Sequence, residues 1–171
     1  EDGASGLLIP HVSTPEKASA LVQAVKFPPL GDRGVDGAGL DVHFSLPDSS
    51  TYAEYANRET FLFVQIETPE ALDNVDEIAA VEGIDGLFIG PADLSLRLGL
   101  LEGAPSLETA TAHVADVAKR HGKAWGIAGG GLEEWKRYRQ MGAQMLIGAG
   151  DFSLTAVLGE AQKNFDEAFD E

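Results

Sequence analysis

Residues 61–95 read FLFVQIETPEALDNVDEIAAVEGIDGLFIGPADLS, and this stretch decides the fold. Two apolar runs, Phe61 to Ile66 and Leu87 to Gly90, flank a helix-like segment from Pro69 to Val81. A strand–helix–strand crossover is right-handed and makes its two strands parallel and adjacent. Their C-terminal ends then lie side by side, about 5 Å apart. Glu67 ends the first run, and Asp93 follows the second by three residues. Two acids at such a rim can share one hard cation. Mg²⁺, for example, takes oxygen ligands at about 2.0–2.1 Å and keeps positions open for water or substrate.

Each residue also has a plainer reading. Glu67 could face solvent in the strand-to-helix loop or favour the next helix through its dipole. Asp93 could cap a short turn. Both fall at equivalent points on successive strands, and that coincidence favours a metal site. Gln65 precedes Glu67 by two residues, so on a strand it faces the same side. It could bond a ligand oxygen there, or a neighbouring strand's side chain.

The same alternation runs outward in both directions. Gly6 to Val12 reads as a first strand, and Thr14-Pro15-Glu16 opens a helix with a capping threonine and proline at its first position. Ala18, Leu21, Val22 and Val25 give that helix a buried stripe, and Pro28-Pro29 ends it. Gly31 to Asp48 is a loop long enough to suggest function, and Tyr52 to Arg58 a short helix. Phe61 to Thr68 and Ile84 to Gly90 are the second and third strands, around the Pro69 to Val81 helix. Then come a helix over Leu107 to His121, a strand over Ala124 to Ala128, a helix over Leu132 to Met141, a strand over Met145 to Gly150 and a helix over Ser153 to Phe169.

The strands are apolar throughout, as in a parallel sheet covered by helices. Each unit takes roughly 30–35 residues, so five fill the chain, whereas eight need about 250 residues. The expectation is one α/β domain over residues 1–171, with parallel strands and helices outside. It is either five-eighths of a (β/α)₈ barrel or a complete open sheet.

Composition narrows the function. The net charge is −16, from 28 acids against 12 bases. That opposes nucleic acid, which needs a basic footprint, and opposes anionic membranes. No apolar stretch reaches the roughly 20 residues of a membrane span. Cysteine is absent, so disulfides, thiol nucleophiles and sulfur metal sites are excluded. Glu1-Asp2-Gly3 does not resemble a targeting peptide, and a cytoplasmic location is expected. The histidines show no zinc spacing, and no serine sits in a nucleophile elbow. His11 could line the pocket or pack; His43 lies in the long loop; His113 and His121 lie on a helix and look structural. No lysine is placed to form a Schiff base, so carbonyl chemistry would use a metal. Gly129-Gly130-Gly131 could hold a phosphate or form a tight turn.

The motif Val64-Gln65-Ile66-Glu67-Thr68, then Ala71-Leu72-Asp73-Asn74, then Val81 to Ser95 (VEGIDGLFIGPADLS), closely resembles the HpcH/HpaI aldolases. Phe27 to Val35 (FPPLGDRGV) resembles the same family's loop after helix four. The likeness extends over essentially the whole chain. It implies the C-terminal five-eighths of a (β/α)₈ barrel, strands four to eight, in a metal-dependent pyruvate aldolase. It implies that Glu67 and Asp93 bind Mg²⁺, Mn²⁺ or Co²⁺. Gln65 would contact pyruvate's oxygens, and the backbone around Ala92 and Asp93 would hold its carboxylate.

The reaction implied is cleavage or formation of 4-hydroxy-2-oxo acids from pyruvate and an aldehyde, through a pyruvate enolate. The citryl and malyl thioester lyases share the acids but usually carry a more acidic motif at Gly90 to Asp93. The family's catalytic histidine and substrate arginine belong to strands that this chain lacks, and neither His11 nor Arg33 matches them. A non-catalytic chain that binds metal and pyruvate is the alternative. The resemblance also implies a homo-oligomer, a hexamer built from dimers that exchange the last helix. Leu154, Val157, Leu158, Ala161 and Phe165 would suit burial against a neighbour or against their own barrel.

Overall fold

The structure is a computed structural model and describes residues 3–42, 44 and 48–169. His43, placed in the long loop, and the terminal pairs Glu1–Asp2 and Asp170–Glu171 lie outside the described residues. The strands are β1 (Gly6–Ile9), β2 (Phe61–Ile66), β3 (Gly86–Ile89), β4 (Ala124–Ala128) and β5 (Met145–Ile147). Between them run α1 (Pro15–Val25), α2 (Ser49–Glu59), α3 (Pro69–Asp73), α4 (Val75–Ala80), α5 (Pro91–Leu98), α6 (Leu107–Arg120) and α7 (Leu132–Gln140), and α8 (Phe152–Phe169) follows β5. Among the described residues of the long loop, Leu40–Val42 form a 3₁₀ turn.

All four described strand pairings are parallel, and the spatial order is β1-β2-β3-β4-β5. An open doubly wound sheet reverses direction at a switch point. This one advances in a single direction and forms a curled five-strand half-barrel.

The two faces differ in what they can hold. Leu62, Val64, Ile66, Leu87, Ile89, Trp125 and Ile127 point outward and join the main core with Val22, Val75, Ile78, Val114 and Val117 of the helices. On the concave face two glycines face phenylalanines on the neighbouring strand. A Cβ on Gly6 would meet the Phe61 ring at 2.4 Å, and one on Gly86 would meet the Phe63 ring at 2.3 Å. Those are direct register partners, Gly6 with Phe61 and Gly86 with Phe63. Glycine on one strand thus makes room for phenylalanine on the next.

Helix starts follow the sequence signals. Thr14 accepts a hydrogen bond from the Lys17 N–H at the start of α1, and Thr68 does the same for Ala71 at the start of α3. One expectation needs correction, and two points the sequence left open are settled among the described residues. The helix expected over Pro69 to Val81 is two, α3 and α4, because Asn74 leaves helical geometry and its amide donates to the Ser13 carbonyl at 2.9 Å. Asn competes with the helix through such bonds. Residues 91–98, to which the sequence reading assigned no element, form α5, with Pro91 at its first position and Leu94 and Leu98 buried. The last helix does not pack on the described strands: every described side chain of α8 except Ser153 is exposed, including Leu154, Val157, Leu158, Ala161 and Phe165.

At the N-terminal rim a buried cation ties the layers together. The Lys26 side chain is 1 % exposed. Its Nζ donates to Asp85 Oδ2 at 2.7 Å and to the Thr60 carbonyl at 2.8 Å. The same Asp85 oxygen accepts the Leu62 N–H at 2.7 Å. Lys123 Nζ donates to the Ile84 carbonyl at 2.7 Å on this rim, as its position before β4 implied. None of the described helices is long and apolar enough to cross a membrane.

Two outcomes test these contacts. Gly86→Ala is expected to cost about 1–3 kcal/mol by overpacking, read from the urea midpoint, with Phe63→Leu restoring part of it. Asp76 joins α4 to α6 through His121 and Arg120. The His121 contact first, then Arg120, hold its pKa below the ordinary 3.8. A depressed carboxylate adds stability that is present above its unfolded pKa and lost as pH falls through the folded one. Asp76→Asn is therefore expected to be less stable than the parent at neutral pH, with the gap narrowing as pH falls below 3.8.

Candidate functional site

Glu67 stands one residue beyond β2 and is 2 % exposed. A buried carboxylate needs partners, and two N–H groups supply them. The His11 main-chain N–H donates to Oε1 at 2.6 Å. Gln65 Nε2 donates to Oε2 at 2.6 Å, so the two residues share a face as the strand period requires. His11 Nδ1 lies 3.1 Å from the same Oε1. His11 has φ 56°, in the left-handed region that non-glycine residues seldom adopt. Lys17 Nζ holds its carbonyl at 2.6 Å.

Gly90 closes the site from β3. Ile66 pairs with Ile89, which sets Glu67 level with Gly90. A Cβ on Gly90 would sit 2.9 Å from Glu67 Oε2 and 2.4 Å from Gln65 Nε2. Only glycine leaves that space free.

Asp93 is placed differently from the expectation. The position on β3 equivalent to Glu67 is Gly90, and Asp93 lies one helical turn further, in the first turn of α5. It is not a cap; Gly90 is, without a side-chain bond. The Asp93 side chain is 50 % exposed and lies 3.6 Å from Arg97 Nη2, four residues along α5. Exposed pairs of that kind are weak, so its carboxylate stays available. Ala92 precedes it in the same turn. The first N–H groups of a helix have no partner inside it, and at α5 these include those of Ala92 and Asp93.

The donor set fits a hard divalent cation. Glu67 and Asp93 offer oxygens only, as Mg²⁺ and Mn²⁺ prefer. Each Glu67 oxygen uses one lone pair on an N–H and keeps another. The space left by Gly90 is beside Oε2. Among the described residues no group of three His, Cys, Asp or Glu side chains could hold a metal. A cation here would rest on two protein carboxylates, leaving positions for water and substrate.

Other candidates fall away from this centre. The Gly131 N–H is taken by Glu134 Oε2 at 3.1 Å, and the Gly129 N–H by the Ile147 carbonyl at 2.8 Å. With a carboxylate already on the turn, phosphate is disfavoured there. His121 bonds Asp76 and is structural. A cavity of about 400 Å³ opens at the opposite end of β1, lined by Leu7, Arg33, Tyr52 and Phe61 among others, and does not reach Glu67. Lys17 reads in the sequence only as a helix lysine, and its contact with the His11 carbonyl was not foreseen. Its signal was a cation in the first turn of a helix, where the dipole opposes it.

Residues 1–156 match the HpcH/HpaI aldolase/citrate lyase family, and the chain belongs to that family. It is 43% identical over 159 residues to a hydroxypyruvate/pyruvate aldolase of Deinococcus radiodurans, covering 90% of this chain and 56% of that protein. It is 36% identical over 170 residues to a 5-keto-4-deoxy-D-glucarate aldolase of Klebsiella pneumoniae, covering 98% and 64%. The crystal structure of an HpcH/HpaI aldolase from Desulfitobacterium hafniense superposes with a TM-score of 0.85 at 32% identity, over 96% of this chain and 65% of that one. The chain thus spans between half and two thirds of the length of these relatives.

Gly90→Ala tests the geometry directly. The added methyl must displace Gln65 or Glu67. Divalent-metal affinity measured by calorimetry is expected to fall about tenfold or more, while the thermal midpoint moves by only a few degrees.

Proposed function

We propose that the protein is a metal-dependent aldolase acting on 4-hydroxy-2-oxo acids, with pyruvate as the common product or donor. The observation that carries this reading is the buried Glu67 carboxylate, oriented by two N–H groups at the C-terminal rim and left open beside Gly90. The relatives' names support the reaction class. Glu67 and Asp93 would hold Mg²⁺, Mn²⁺ or Co²⁺, which supplies Lewis-acid stabilisation of the negative charge developing on the 2-oxo oxygen.

The chain's own residues then divide the remaining work. Gln65 spends one amide hydrogen on Glu67, and its second would go to a pyruvate oxygen. The free N–H groups of Ala92 and Asp93 at the start of α5 would receive pyruvate's carboxylate, a favourable place for an anion. In the cleavage direction a water or the family's histidine would take the 4-hydroxyl proton, the C3–C4 bond breaks to release the aldehyde, its electron pair stays with the pyruvate fragment as the enolate, and C3 then takes up a proton to give pyruvate. The family's histidine and arginine would come from three further barrel units, for which the chain supplies strands four to eight. Oligomers built through α8 would cover its apolar side chains.

The test is exchange of pyruvate's methyl protons with solvent, followed by NMR. Exchange should require Mg²⁺, Mn²⁺ or Co²⁺, and Glu67→Gln should slow it at least about a hundredfold. Absence of exchange with all three ions would sink the aldolase mechanism. Binding of pyruvate and metal without exchange would favour a non-catalytic chain.

A further inference from the structure

We propose that Asn74 is a positioning residue for the Glu67 carboxylate: by holding Ser13, it fixes the loop whose His11 main-chain N–H binds Glu67 Oε1. The proposal rests on the metal reading given above and concerns how that carboxylate is aimed.

Three observations carry it. First, one of the two N–H groups on Glu67 comes from a strained loop. His11 donates to Oε1 at 2.6 Å from backbone at φ 56°. Such backbone persists only where its surroundings over-determine it. Val12, the next residue, is fully buried and fixes where the loop lies. Apolar burial is non-directional, so the direction of the His11 N–H is left to hydrogen bonds. Lys17 supplies one, on the His11 carbonyl, but that contact is exposed.

Second, the part-buried bonds come from the segment that carries Glu67. Thr68 follows Glu67 directly, and its Oγ1 lies 3.0 Å from Ser13 Oγ. Asn74 Nδ2 donates to the Ser13 carbonyl at 2.9 Å. Ser13 is two residues from His11, so the loop and the carboxylate it binds are tied to one frame.

Third, Asn74 interrupts a helix to do this. Its φ −94° and ψ 9° separate α3 from α4. Its main chain is satisfied in both: the N–H donates to the Glu70 carbonyl at 3.0 Å, and its carbonyl accepts the Ile78 N–H at 2.9 Å. The side chain alone reaches out, to a carbonyl 61 residues back in the chain. Alanine here would suit a helix better and would leave the Ser13 carbonyl without this donor.

The experiment is calorimetric titration of the complete protein with Mn²⁺, alongside hydrogen–deuterium exchange of the His11 amide read by mass spectrometry. The variants are Asn74→Ala, Asn74→Asp and, as a control, Asp76→Asn, which loosens α4 from α6 without touching the loop. Both Asn74 variants are expected to weaken Mn²⁺ binding about tenfold, the low end of the loss when a metal ligand's supporting partner is removed. Both are expected to speed His11 exchange about tenfold or more. The control should lower the thermal midpoint and leave both readouts unchanged. The added acid of Asn74→Asp favours a cation by charge alone, so a loss there has the opposite sign to the electrostatic effect. A purely structural Asn74 would lower the thermal midpoint and move neither readout; that result, or equal losses in the control, would overturn the proposal. A change in only one of the two readouts would also overturn it, because the carboxylate is then aimed without the loop, or the loop is loose without consequence. If the parent binds no Mn²⁺, the metal reading itself fails and the proposal with it.

Discussion

A carboxylate taken out of water sets the terms for its end of the half-barrel. Glu67 is almost wholly buried, and a lone buried charge is among the costliest groups a fold can carry. The solution draws on three chain segments. The loop after β1 turns through a left-handed residue to deliver the His11 N–H, β2 delivers the Gln65 amide, and β3 ends in a glycine so that nothing crowds the oxygens. Each is unusual alone, and together they follow from one requirement. Two short hydrogen bonds also fix the carboxylate's orientation, which a cation site needs before any ion arrives.

The opposite rim solves a different problem. Lys26 and Asp85 link the end of α1 to the starts of β2 and β3, with the Thr60 carbonyl and the Leu62 N–H completing the contacts. Removing either partner would leave the other charge poorly compensated. Among the described residues the two buried charges, Lys26 and Glu67, lie one at each rim of the sheet. Concave-face glycines connect the two ends: by letting Phe61 and Phe63 lie against Gly6 and Gly86, they let the sheet curl without a gap.

Much of this was legible in the sequence. The apolar runs located all five strands, and β4 was read to the residue. Caps at Thr14 and Thr68 were visible because their chemistry is local. Gln65 and Glu67 were read as sharing a face, since strand period alone decides it. What escaped depends on partners far along the chain. Asn74 breaks its helix for a carbonyl 61 residues away, and Lys26 is buried by an aspartate 59 residues away. The exchange of roles between Gly90 and Asp93 was hidden for another reason. Spacing along the sequence does not show where a strand stops and a helix begins, and the Pro91 start of α5 pushed Asp93 off the strand.

One feature bears on how the molecule holds its own shape. The eighteen residues of α8 carry Leu154, Val157, Leu158, Phe165 and Phe169 in solvent. Helices in proteins owe most of their stability to a packed face, and a helix of this length is near the margin without one. Whatever surface accepts that stripe therefore contributes to the folding of α8 itself. Its helical population is then set by how often that surface is met rather than by the sequence of α8 alone.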